Sequence, residues 1–492
     1  MNTRLEFVSK YHILIISILV VSAFTHLWNV AGFPDIFFDE GVYMRRAMHV
    51  LNGFGPQEGL FYDHPLFGQT FLAGIFGAIG YPNSLHSSGD VNSIATLYTV
   101  PRIIMGLLAV VDTFLTYKIA GKRYGQKVAL ISAVLFAVMP ISWIFRRILL
   151  DSILLPFLLL SIWAALHSKD SKHSTWLVLL SGICLGLAIF TKIPVFTVIP
   201  VIGGIVFFSN TKRYRLLALW IIPVILIPFM WPIQSIEVGQ FNHWANDVLY
   251  FQTHRGGGAN LHSITQSFAD MDPALFWLAV AGIGFVAIRR DYLILGWFAP
   301  FVVFLYFIGY NQYFYWIPVV PVMCIAAGVL IVKSFESIPR VKISKEGMVI
   351  FVLGVCAFGM ISLIQIITTD MTSAEYSATS FILNQPISND TTILASPTYT
   401  WIFGNVFHKN NVPLDYSQIL AEHINTTKVI LVADPHYILD FNRGRQISDM
   451  YNSTQLVTTF NDDVSKYPTD HYPYKSLRST TEGLHIEIRE KN

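Results

Sequence analysis

Charge is scarce in this sequence. Asp, Glu, Lys and Arg make up 13% of the 492 residues, against about 25% in an ordinary soluble domain, while 53% are hydrophobic. A chain so poor in charge cannot clothe a soluble surface, and a bilayer is its natural solvent. The net charge of +2 is scattered over loops and forms no concentrated basic face, which excludes a nucleic-acid partner. Cysteine is equally sparse. Cys184, Cys324 and Cys356 all lie inside apolar runs, where a thiol packs like any small hydrophobe, so no disulfide framework and no thiolate metal cluster is supported. No internal repeat, low-complexity tract, phosphate loop or nucleophile elbow stands out. No small-residue cleavage pattern follows the first apolar run, which therefore reads as a retained first helix.

What is abundant is apolar runs of membrane length. A helix needs about 20 apolar residues to cross the hydrocarbon, with about 17 acceptable. Crossings are expected at 12–30, 99–119, 127–143, 149–167, 175–191, 193–209, 216–232, 273–288, 292–309, 314–333 and 347–368. Every second connection is basic: Lys122, Arg123 and Lys127; Lys169 and Lys172; Lys212, Arg213 and Arg215; Arg289 and Arg290; Lys333, Arg340, Lys342 and Lys345. The positive-inside rule puts these in the cytoplasm with the N-terminus. The remaining connections then face outward: 31–98, the turn 144–148, the junction near 192, the loop 233–272, the turn 310–313 and everything after 369. Residues 65–81 are also apolar, but a full crossing there would invert every later loop, so an interfacial or re-entrant helix is expected. The acceptor patterns at Asn389, Asn425 and Asn452 all lie in the outward tail. This gives two regions, 1–368 as a helical membrane domain and 369–492 as a small extracytoplasmic α/β domain. The strands of the latter are expected at Thr392–Ala395, Val429–Val432, Leu456–Phe460 and His485–Ile488. A multi-pass protein of a prokaryotic plasma membrane is the expected setting.

Charges at the outer edge of the membrane are costly and usually have a task. Asp39 and Glu40 follow the first span, with Arg45 and Arg46 just after them; Arg102 opens the second span; Arg146, Arg147 and Asp151 flank an outer turn; Lys192 separates two apolar runs; His254 and Arg255 precede Gly256-Gly257-Gly258. Convergence on one surface suits an enzyme acting on a charged lipid head group, with a carboxylate for the proton and cations for phosphate. Plainer roles compete residue by residue. Asp39 suits a helix N-cap. Arg146, Arg147 and Lys192 suit snorkelling to head groups. His64 before Pro65 suits a cap, and Tyr310, Tyr313, Tyr315 and Trp316 suit an interfacial belt. Arg102 and Asp112 are ten residues apart, about 15 Å along a helix, too far to pair. Asp112 itself suits a buried contact with a neighbouring helix.

Taken in order, these motifs resemble the GT-C superfamily of membrane glycosyltransferases, in its protein O-mannosyltransferase and lipid A aminoarabinose transferase branch. Phe38-Asp39-Glu40 resembles the acidic pair of the first outer loop, and Tyr62-Asp63-His64-Pro65-Leu66 the family's His-Pro-Pro-Leu segment without its second proline. Val100-Pro101-Arg102, Gly121-Lys122-Arg123-Tyr124-Gly125, Phe145-Arg146-Arg147 with Asp151, and Thr191-Lys192-Ile193-Pro194 resemble the motifs that follow. Near the end, Gln312-Tyr313 stands where the family often has Arg-Tyr. The resemblance covers roughly residues 12 to 335.

The resemblance implies a GT-C fold and an inverting displacement in which an acceptor hydroxyl attacks the anomeric carbon of a sugar carried on polyprenyl or dolichyl phosphate. The sugar would be a mannose-like hexose and the acceptor a protein, lipid or glycan. Asp39 would be the base, and Glu40 its support for orientation or a metal, with their adjacency raising one pKa. Arg102, Lys192, Arg255 and Tyr313 would bind the donor phosphate; His64, Arg146, Arg147 and Asp151 would position substrate. No cofactor is expected, and although Asp39, Glu40, His64 and Asp151 are plausible ligands, a divalent metal is not predicted. The rival readings are a transporter, whose signature would be ionisable groups at mid-membrane, and a noncatalytic lipid-binding assembly factor.

Overall fold

A computed structural model describes residues 2–169, 171–255, 260–308, 310–339, 341–414, 416, 428–434, 445–462 and 485–491. Gly256-Gly257-Gly258, Arg340 and Asn425 lie outside them. The first helix, α1 (Asn2–Leu27), is followed by α2 (Phe38–Leu51) and α3 (Phe67–Ile79) in the connection to the next long helix. With 13 residues, α3 is about 20 Å long, short of the hydrocarbon thickness of a bilayer. Then come α4 (Val91–Tyr124), α5 (Gln126–Val138), α6 (Leu150–Ser168), α7 (Ser174–Thr191), α8 (Ile199–Ser209), α9 (Arg213–Glu237), α10 (Leu261–Met271), α11 (Pro273–Ile288), α12 (Tyr292–Phe307), α13 (Val320–Glu336) and α14 (Val341–Ile367).

Among the described residues, six helices are long and apolar enough to cross a membrane, and two bent pairs add up to two crossings; Tyr11–Leu27, Ile193–Ser209 and Tyr292–Phe307 are shorter apolar helices where the sequence also expects one. The helices sort by environment. α13 is buried along almost its whole length, whereas α9 exposes Ile222, Ile225, Leu226 and Phe229, and α14 exposes Ile350 and Leu353. Large apolar side chains left in the open on a ring of outer helices are what lipid tails would cover.

Two expected straight spans are broken. The run 127–143 bends by 68° between α5 and the 3-10 turn Pro140–Arg146, and α10 meets α11 at 119°. Pro140 has no N–H to continue the helix, and the next free donor, Ile141 N, is taken by Asp272 Oδ2 at 3.2 Å from the other broken pair. The second bend thus supplies the acceptor for a donor that the first exposes. The expected outer turn 144–148 is accordingly no surface turn: Ile144 to Ile148 are all buried. Asp112 is buried in α4, but its Oδ1 has no hydrogen-bond partner among the described residues, so the expected contact with a neighbouring helix is not formed there.

The tail begins with α15 (Ser373–Asn384) and the short helix α16 (Pro397–Trp401) and forms a four-stranded sheet of β1 (Thr391–Leu394), β2 (Lys428–Ala433), β3 (Gln455–Asn461) and β4 (His485–Lys491). Its order is β1-β2-β4-β3, with β1 parallel to β2 and the other pairs antiparallel. All four strands fall on the expected stretches, because each is a β-branched run bounded by polar turns. The domain is fastened to the connection between α1 and α4. Tyr376 Oη and Thr372 Oγ1 both donate to the Ala31 carbonyl, and Ser380 Oγ donates to that of Gly89.

Candidate active site

One face of α2 opens on a cavity of about 270 Å³. Asp39, Val42, Tyr43 and Arg46 recur at i, i+3, i+4 and i+7 and all line it. Opposite them stand His64 from the connection between α1 and α4, Lys192 from the end of α7, Arg255 from the loop after α9, and Tyr310, Gln312, Phe314 and Tyr315 from the stretch before α13. Pro397, from the C-terminal domain, closes one side. The sequence therefore brings Asp39, His64, Lys192 and Arg255 to one chamber from four remote segments.

The two adjacent carboxylates part company. Asp39 faces the cavity. Glu40 is wholly buried and accepts from Arg102 Nε and Nη2 at 3.2 and 2.9 Å, Arg147 Nη1 at 3.3 Å, and the backbone N–H groups of Ile148 and Phe37 at 3.0 and 2.9 Å. Asp39 is not the helix cap either; Phe37 holds that position, and its N–H is satisfied by Glu40. Glu40 is thus a structural anchor and does not reach the cavity beside Asp39.

Three further expected roles are corrected. Arg102, expected on the donor phosphate, has no exposed surface, and its remaining N–H groups donate to the carbonyls of Val30, Pro34 and Asp35 at 3.1, 2.7 and 3.0 Å. Arg146 and Arg147, expected to position substrate, are buried too. Arg146 donates to the Trp28 carbonyl and lies over the Phe33 ring, and Arg147 pairs with Asp35 at 2.6 Å as well as with Glu40. Tyr313, expected on the phosphate, turns inward and stacks on Trp143 with ring centroids 5.8 Å apart, while its neighbour Tyr315 faces the cavity. In each case the chain needs a buried cation or ring to hold the segment 30–40 against α4 and the 140–148 turn.

Lys192 caps α7 with an extended backbone, which swings its side chain off the helix axis. Its Nζ lies 2.6 Å from Asp151 Oδ2 and 4.1 Å from the centre of the Tyr315 ring, so Asp151 reaches the chamber only through Lys192. The Arg255 guanidinium lies 3.7 Å from the centre of the Tyr310 ring, and the Tyr310 hydroxyl accepts from Gln312 Nε2 at 2.8 Å. Gln312, which replaces an arginine of the resembled pattern, here holds the ring that carries another arginine.

Arg45, Arg46 and Asp63 were not assigned roles by sequence. Arg46 pairs with Asp63 at 2.8 Å and Arg45 with Glu58 at 2.8 Å. The signal for Arg46 was present, since it shares Asp39's helical stripe. Burial pushes the Asp63 carboxyl up, but Arg46, with His64 beside it, outweighs that and holds it below its ordinary value. His64 is driven the other way, down to about 3, by burial, opposed by Asp63 and reinforced by Lys192, Arg46 and Arg255. Its imidazole is neutral at any physiological pH.

A second cavity of about 370 Å³ shares Asp63, His64, Lys192, Tyr310 and Tyr315 with the first and continues along Pro65, Ile193, Pro194, Val248, Phe304, Phe307 and Ile308. A polar chamber thus runs into an apolar groove beside helices of membrane character. Among the described residues, no three His, Cys, Asp or Glu side chains lie close enough to hold a metal ion.

Comparison with known proteins bears on the fold and the family likeness. The family model for dolichyl-phosphate-mannose-protein mannosyltransferases matches residues 16–252. The fold is similar to that of ArnT from Cupriavidus metallidurans, solved with bound undecaprenyl phosphate, at TM-score 0.58 and 12% identity over 97% of this chain and 98% of that one. The apo form of the oligosaccharyltransferase from Archaeoglobus fulgidus follows at TM-score 0.52 and 13% identity over 87% of this chain and 70% of its own. No curated protein matches by sequence.

Proposed function

We propose that the chain is a membrane glycosyltransferase of the GT-C superfamily, moving a mannose-like hexose from a polyprenyl or dolichyl phosphate carrier to a hydroxyl of a protein, lipid or glycan on the outer membrane face. The observation that carries this reading is the continuity of the two cavities. Asp39 stands on one wall of the chamber, Lys192 and Arg255 on the other, and an apolar groove leads away from the cations. A carrier lipid lying in the groove would present its phosphate to Lys192 and Arg255 and its sugar to Asp39. A polyprenyl phosphate is the ligand of the ArnT structure whose fold this chain shares.

The acceptor oxygen attacks the anomeric carbon as the bond from that carbon to the phosphate oxygen breaks, inverting the centre. The hydroxyl proton passes to the Asp39 carboxylate, and polyprenyl phosphate leaves with the electron pair. Charge builds on the leaving phosphate, so cations fixed in advance lower the barrier. Asp151 and the Tyr315 ring fix Lys192, and Tyr310 with Gln312 fixes Arg255. Neutral His64 and the Arg46–Asp63 pair line the same chamber, His64 and Asp63 where it meets the groove. The reading involves no divalent ion: Glu40 is held by Arg102 and Arg147, and ionised Asp63 by Arg46. The basic loops support an orientation with this end of the bundle outside and the N-terminus in the cytoplasm.

Transfer of radiolabelled hexose from polyprenyl phosphate to membrane acceptors, dependent on Asp39 and Lys192, tests the reading. Transport of a solute by a purified protein that lacks transfer would favour the transporter instead.

A further inference from the structure

Gly41 is where the helix carrying Asp39 meets the C-terminal domain. A Cβ there would lie 2.3 Å from the carbonyl carbon and oxygen of Pro397 and 2.4 Å from the amide nitrogen of Thr398. Two backbones touch, and only glycine leaves the room. A third element fastens the same turn. The Tyr98 hydroxyl, from α4, donates to the Thr398 carbonyl at 2.7 Å and accepts from Trp401 Nε1 at 2.9 Å, and both side chains are fully buried. The Arg102 guanidinium that holds Glu40 lies 5.8 Å from the centre of the Tyr98 ring. One turn further along α2, Arg45 Nη1 donates at 2.6 Å to the carbonyl of Leu414, which also accepts from Thr400 Oγ1 at 3.1 Å. Glu40, Gly41 and Arg45 are therefore each fixed, directly or through Tyr98, against the segment 397–414. Asp39 is the residue before them.

Resting on the reading of Asp39 as base, we propose that the turn Ser396–Trp401 is a positioning clamp: with Tyr98 it sets how far α2, and hence the Asp39 carboxylate, reaches into the chamber. The C-terminal domain then supplies a wall of the active site and holds its base in register, with Gly41 and Tyr98 as positioning residues. A displacement of about 1 Å at a reacting group costs on the order of 100-fold in rate.

The test uses the full-length protein in detergent or nanodiscs. Hexose transfer is measured for wild type, Gly41→Ala, Tyr98→Phe, Asp39→Asn and the Asp39→Asn/Tyr98→Phe double variant, normalised to folded protein, with undecaprenyl phosphate binding titrated separately. The clamp predicts that Gly41→Ala and Tyr98→Phe each lose at least about tenfold in kcat with donor KM and carrier affinity unchanged. It also predicts that the double variant is no slower than Asp39→Asn alone, because the two residues act as one unit. A merely structural Tyr98 would lower the thermal midpoint, leave kcat per folded molecule unchanged and overturn the proposal. So would losses that multiply in the double variant. If Gly41→Ala fails to fold, Tyr98→Phe, which keeps the ring, decides. Full activity in Asp39→Asn would remove the premise itself, a result distinct from either.

Discussion

Arg102 Nη2 lies 2.9 Å from Glu40 Oε2 with neither side chain exposed, and Arg147 shares the same carboxylate at 3.3 Å. A buried carboxylate held by two guanidiniums and two backbone N–H groups is costly to break from one side. Glu40→Gln leaves two buried cations undercompensated and should destabilise the protein by about 3–5 kcal/mol. Arg102→Lys should destabilise as well, since an ammonium cannot reproduce the forked contacts to Glu40 and three carbonyls. Thermal unfolding of the purified protein checks both. A Glu40→Gln variant as stable as wild type would contradict the anchoring role.

The cations of the chamber should separate by role. Lys192→Ala should cut turnover by about 100-fold or more, as expected when a preorganised transition-state donor is lost. Arg255→Ala should do the same, whereas Gln312→Ala, which only releases Tyr310, should do less. Asp151→Asn should fall between them, because it loosens Lys192 without removing it. Steady-state rates at saturating donor read these differences directly.

The two titrating neighbours in the loop 61–66 give a stability prediction with a defined window. The folded-state pKa of His64 is lowered from 6.5 to about 3, so the unfolded chain binds a proton that the folded chain refuses. This group therefore destabilises the fold increasingly as pH falls from about 6.5 towards 3. Asp63, whose pKa is lowered by Arg46 against its burial, contributes stability present above the unfolded value of 3.8 and lost as pH falls through its folded value. His64→Asn should consequently flatten the fall in thermal midpoint between pH 7 and pH 4.5 while leaving the steeper loss below pH 4. A midpoint profile unchanged by His64→Asn would contradict the half-buried, neutral imidazole.

Metal dependence follows from how the carboxylates are engaged. With Glu40 committed to Arg102 and Arg147, and Asp151 to Lys192, chelation of divalent ions should leave transfer unchanged. Loss of turnover with EDTA, restored by one added cation, would contradict this.

Much of this molecule was legible in its sequence because membrane crossings and strands are written in local composition. The four strands of the tail fall on short runs that the sequence marks as β-rich. The order of the outer motifs drew Asp39, His64, Lys192 and Arg255 to one end of the bundle, where they line one chamber. What the sequence could not reveal was which charges face inward. Arg102, Arg146 and Arg147 look like ligand-binding cations, yet their partners are Glu40, Asp35 and backbone carbonyls of Trp28, Val30 and Pro34. Such contacts depend on where a nonhelical segment runs in space, which no periodicity records. Tyr313 and Tyr315 show the same limit. They are two residues apart, and the 3-10 winding from Tyr313 to Val319 decides which faces the chamber. The bends at Pro140 and before Pro273 were marked by proline, but their link through Asp272 was not.

The central claim is that Asp39 takes the acceptor's proton. Its most direct test is hexose transfer from a polyprenyl phosphate donor by wild type and Asp39→Asn protein at matched folded concentration, with carrier binding measured in parallel. The account predicts that Asp39→Asn binds the carrier as wild type does and loses at least about 100-fold in turnover. Equal turnover in the two proteins would contradict it.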